Sequence, residues 1–153
     1  MTIAYFANSF LRPADLSNEQ LFLAHYQAYE PSTNSRGDVG NIDKADFYNY
    51  YKNGNYQGAF NLMGSSSQTV NVEEQLMYAI SALSVNEEQI GLDLLNEIIQ
   101  ANDYYFKDHA LWYKALFLIK SNKIQESKII LDVLSEDESA DHHQEAINLL
   151  NEI

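Results

Sequence analysis

The chain has 153 residues, 46% of them hydrophobic and 20% charged, which is enough apolar material for one packed domain and too much for a disordered chain. Nine Lys and Arg against 22 Asp and Glu leave a net charge of −13, which repels phosphate backbones and anionic lipid heads and leaves neutral or basic partners. The lack of cysteine removes disulfides, thiol catalysis and Cys-ligated metals, and no apolar stretch approaches the roughly 20 residues of a membrane span.

The spacing predicts an all-α protein. A first helix is expected over 15–29, opened by Ser17 with Gln20 three residues on and closed by Pro31. A polar loop with two glycines follows over 30–41. Three pairs of helices come next, over 43–53 and 56–63, 72–84 and 87–101, and 104–121 and 124–134, with a last helix over 140–153. Gly64-Ser-Ser-Ser67 reads as a flexible connection. Leu76, Ala79, Ile80 and Leu83 follow the helical period, as do Leu111, Ala115, Leu118 and Ile119 with a one-residue drift. Strand alternation is scarce. Pro13 and Pro31 are the only prolines, so the last 122 residues hold none.

The pairs repeat. Blocks 50–59, 82–91 and 118–127 align, each ending on a small residue: Ala59, Gly91 and Ser127. Four residues later comes a large apolar one: Met63, Leu95 and Leu131. Gly54, Asn86 and Asn122 stand at the helix–helix turns, and these residue types tolerate the left-handed conformation that stops a helix. Small residues let antiparallel helices approach closely. One pair alone leaves an apolar face exposed, so pairs must stack.

At these positions the sequence resembles the tetratricopeptide repeat family. The segment Tyr50-Tyr-Lys-Asn-Gly-Asn-Tyr-Gln-Gly-Ala59 is similar to the family's Tyr-x-x-x-Gly-Asp/Asn-Tyr-x-x-Ala signature. Ala110-Leu-Trp-Tyr-Lys-Ala115 resembles the opening of a first helix, and the match covers about 60% of the chain. Gly91 and Ser127 stand where the family usually has alanine. The resemblance implies one domain: an N-terminal helix and loop over 1–40, three hairpins over 41–134 in a right-handed superhelical stack (an α-solenoid), and a capping helix over 139–153. Residues 21–37 look similar to the lead-in of short bacterial repeat modules that follow a single membrane span. That likeness implies a periplasmic domain of a membrane-anchored protein; a complete chain implies a cytoplasmic one.

By the same resemblance, the first helices line a concave groove that holds a peptide or a partner's helix. Carried over, the groove presents Lys44, Tyr48, Tyr51 and Lys52, then Leu76, Ile80 and Leu83, then His109, Trp112, Leu116, Ile119 and Lys120. Trp and Tyr are the anchors that binding hot spots use. The competing reading makes these positions core, covered by the chain's own first helix through Leu21, Phe22 and Tyr26. The expected function is a non-enzymatic protein–protein interaction module, with a self-filled spacer or homo-oligomer as the alternative. No cofactor or metal is expected.

Other constellations weigh less. Glu138, His142 and Glu145 share one face of the expected last helix, a donor set read as a solvated surface. His109 with Asp108 or Asp103 is a conceivable base pairing without a pocket. Arg36-Gly37-Asp38 is read as a charged turn. Phosphate loops, nucleophile elbows and His-Glu-x-x-His are missing from the sequence.

Overall fold

The computed structural model describes residues 16–31, 42–65, 70–101 and 103–153, and every regular element among them is a helix. The described helices are α1 (Asn18–His25), α2 (Ile42–Lys52), α3 (Tyr56–Ser65), α4 (Val72–Ser84), α5 (Glu88–Ala101), α6 (Tyr104–Lys120), α7 (Ile124–Glu136) and α8 (His143–Leu150). From α2 onward each helix packs on its neighbour in sequence, α4 also touches α6, and α1 packs on α6. The Arg36–Asp38 turn, the 66–67 part of the flexible connection and most of the 30–41 loop lie outside the described residues.

Local chemistry sets the starts. Ser17 accepts from the Gln20 amide while the Gln20 side chain accepts from the Ser17 amide, the reciprocal cap expected of the pattern. Asn71 and Glu74 do the same for α4, and Asp103 accepts from the Phe106 amide at the head of α6.

The stops are more uniform. Gly54, Asn86 and Asn122 all have positive φ, at 71°, 66° and 61°. At each, its own N–H reaches back three residues, to Tyr51, Leu83 and Ile119. The next residue's N–H reaches back five, to Tyr50, Ala82 and Leu118. The same two hydrogen bonds thus satisfy the last carbonyls of α2, α4 and α6 and reverse the chain tightly enough for each pair to lie antiparallel.

Gly91 and Ser127 sit where the two helices of their pairs touch. Ala59 and Ser127 are fully buried, and Gly91 is buried. A side chain added at Gly91 would overlap Leu83 and lie 3.0 Å from the Ala79 carbonyl oxygen. Around these contacts Leu76, Met77, Ile80, Leu95, Ile98, Leu116, Ile119, Leu131, Leu134 and Leu149 are fully buried in one continuous core. Each such side chain contributes about 1.5–3 kcal/mol of transfer free energy.

Most boundaries fall within two residues of expectation, and the larger differences are in the first helix and the last, which ends at Leu150, not 153. The first helix ends at His25, not 29, and residues 26–31 carry no helix. Tyr26 turns to an extended conformation and the Tyr113 hydroxyl takes the Gln27 carbonyl at 2.8 Å, so tertiary contacts replace the helical bond. The last helix begins at His143, not 140, because residues 137–142 form a turn in which Asp137 accepts from the Ser139 amide and hydroxyl. No helix of the described residues is long and apolar enough to cross a membrane.

Candidate interaction site

Residues 18–29 lie along α6, the helix to which the resemblance assigns His109, Trp112, Leu116, Ile119 and Lys120. This segment runs antiparallel to α6. Asn18 donates to the Asn122 side chain at 2.8 Å, beside the C-terminal end of α6. The Phe22 ring lies 4.9 Å from that of Phe117, and Tyr26 stands edge-on to Tyr113 at 6.2 Å. Tyr29 meets His109 at 5.2 Å and Phe106 at 6.4 Å, near the helix's other end. Tilted and edge-to-face rings at these separations add to plain area burial. His25 closes the side through Glu152 of the C-terminal segment at 3.0 Å.

Every apolar position of the expected groove is buried, Leu83 of α4 beside Gly91 of α5. Tyr48, Tyr51, Leu76, Ile80, Leu83, Trp112, Leu116 and Ile119 are all buried. The lysines differ among themselves. Lys44 pairs at 3.0 Å with Glu74, itself buried; Lys120 stands over the Phe22 ring at 5.2 Å; Lys52 is exposed. Burial is the reason the arrangement is an apolar interface with charge at the rim. A depression lined by Leu83, Asn86, Glu88, Phe117, Lys120 and Ser121 stays open beside the end of α6.

The polar content of the covered face is phenolic. Tyr29 donates to Glu73 at 3.0 Å and Tyr48 donates to the same carboxylate at 3.4 Å, which fastens α2 and the 26–31 segment to the head of α4. Desolvation by burial pushes the pKa of Tyr26, Tyr29, Tyr51 and Tyr113 above the ordinary phenol range, and hydrogen bonds to Glu73 and Tyr56 push Tyr29 and Tyr26 the same way.

The histidine readings need correction. Glu138 and His142 precede α8, so the Glu138–His142–Glu145 face does not exist as a helix face; Glu138 and Glu145 are exposed while His142 turns inward. Asp103 caps α6, and Asp108 accepts from the Asp141 amide at 3.3 Å. His109 instead meets His142, Nδ1 to Nε2, at 2.8 Å, and His142 stacks on Trp112 with ring centroids 5.1 Å apart. Nothing in the sequence marks this pairing, because 33 residues separate the two histidines. Among the described residues no group of three or more His, Asp or Glu side chains is arranged to hold a metal ion.

No family model, curated protein or solved structure matches the chain.

Proposed function

We propose that the chain is a non-enzymatic protein-interaction module of three tetratricopeptide-like hairpins, whose peptide-binding face is occupied by its own residues 18–29. The observation that carries this reading is the antiparallel lay of Asn18 to Tyr29 along α6, from Asn122 at one end to Phe106 at the other. A short amphipathic segment laid in an apolar groove is a recurring mode of peptide recognition. Here Leu21 and Phe22, both buried, fill the part a partner's apolar side chains would take, with Tyr26 and Tyr29 extending the contact. The partner that fits is a neutral or basic segment with the same spacing of large apolar and aromatic side chains, since the chain carries a net charge of −13.

A second reading, a self-filled spacer, is favoured by one observation. The covering segment is tied at both ends, by Asn18 to Asn122 and by Tyr29 to Glu73. A single experiment separates the two. In the full chain, Phe22→Asp weakens the segment in place, and a fluorescein-labelled peptide of residues 16–31 is then titrated. A rise in anisotropy with the variant, and a smaller one with the wild type, supports a peptide-binding face. Equal absence of binding with both leaves the spacer.

A further inference from the structure

Among the described residues, His109 and His142 form a buried pair of titratable side chains, and the inference from their contact stands independently of the interaction reading. His109 is on α6 and His142 is the last residue before α8, so their 2.8 Å contact fastens the 137–142 turn to α6. Only one proton fits between two ring nitrogens at that distance. The other ring nitrogens, His109 Nε2 and His142 Nδ1, are buried with no hydrogen-bond partner. The Asp141 carboxylate lies 3.6 Å from His109 Nε2, which favours a proton there. His109 Nδ1 is then the bare acceptor and His142 Nε2–H the donor, with His142 Nδ1 left bare.

Proton counting gives the behaviour. One added proton goes to His142 Nδ1 and leaves the link intact, because Nε2–H still donates to His109. A second proton has only His109 Nδ1 to occupy. It sets two N–H groups head to head and puts two cations in contact, and the link breaks. We propose that the His109–His142 pair is an acid-sensitive latch, whose double protonation releases the 137–142 turn and the start of α8 from α6 and uncovers Trp112.

The described groups that face the pair pull in both directions. From α6 come Asp108 and Tyr105, from the turn Asp141, with Asp137 acting on Asp108, and from α8 Glu145. The 26–31 segment adds Tyr29, and α1 adds His25, whose ring lies 6.5 Å from Trp112. The carboxylates favour the cation and burial opposes it. Burial is the larger effect for both: it lowers His109, and with the neighbouring imidazole's help lowers His142 to about 4. The latch therefore holds at neutral pH and opens only in acid.

Trp112 is the only tryptophan, so its emission reads the latch directly. The full chain is titrated from pH 7 to pH 3, with Trp112 emission and far-ultraviolet circular dichroism followed together. His142→Gln keeps an amide donor for His109 and cannot be protonated; His109→Asn keeps an acceptor for His142. The expected result is a shift of emission to longer wavelength below pH 4 in the wild type, where the second proton enters, at constant helicity, and its loss in both variants. A step that persists in the variants belongs to His25 or to the carboxylates and overturns the proposal. So does an emission change that coincides with loss of helix, or no change at all.

Discussion

The Ser127 hydroxyl donates to the backbone carbonyl of Ala115 at 2.9 Å, twelve residues back and on the partner helix of its pair. Gly91 repeats the relationship, with its missing side chain 3.0 Å from the carbonyl of Ala79, also twelve residues back. The second and third pairs thus cross at equivalent places, where one helix presents almost no side-chain volume and the other presents an alanine.

Gly91→Ala tests that crossing. Alanine gains about 1 kcal/mol of helix propensity over glycine, but its methyl group overlaps Leu83, and overpacking costs about 1–3 kcal/mol. The net expectation is destabilisation, read as a lower urea midpoint. Leu83→Ala in the same chain removes the overlap, so the double variant falls short of the summed single losses.

The three left-handed stops make a second test. Asn86→Ala and Asn122→Ala each cost about 1 kcal/mol, because alanine lacks the short polar side chain that lets asparagine tolerate positive φ. Asn86→Gly is neutral or slightly stabilising, whereas Asn122→Gly relieves the backbone but loses the hydrogen bond from Asn18. Gly54→Ala has open space around it, so any loss there is conformational strain alone. Thermal melting of the six chains reports the order.

Phe22→Ala strips the buried ring that stacks with Tyr26 and meets Phe117. A core Phe→Ala substitution costs about 3–5 kcal/mol when the whole domain must bear it. Here residues 18–29 can detach while the hairpins stay folded, so the global loss is capped at the docking free energy of that segment. Amide hydrogen exchange is expected to show loss of protection over 18–26 with α4 and α6 unchanged. Equal loss across all helices would mean that the segment is an inseparable part of the core.

Alkaline pH weakens the fold. Tyr26, Tyr29, Tyr51 and Tyr113 all have folded-state pKa values raised, chiefly by burial, while the unfolded phenol titrates near 10. Below pH 10 both states hold the proton and the stability is fully present. As pH rises past about 10 the unfolded chain ionises first, so stability is lost. The urea midpoint at pH 9, 10 and 11 should fall, and Tyr113→Phe should flatten the fall at the expense of the 2.8 Å bond to Gln27.

The helices and their turns were legible because their signals are local. The Ser17–Gln20 pair, the left-handed Gly54, Asn86 and Asn122, and the period of Leu76 to Leu83 each act within a few residues. Val72–Ser84 lies where the periodicity placed it. An apolar residue on a helix face reads the same whether a partner or its own chain covers it, so Trp112 and Phe117 carried no mark of the His25 and Phe22 rings that meet them.

Capping, chain reversal and helical period are set by near neighbours, so paired rods with small residues at their crossings follow from the order of residues alone. That Asn18 to Tyr29 lies along α6 and that His109 meets His142 emerges only when the chain packs. Those contacts join residues between 33 and about 100 positions apart, and their pairing follows from which surfaces remain to be buried once the rods have stacked.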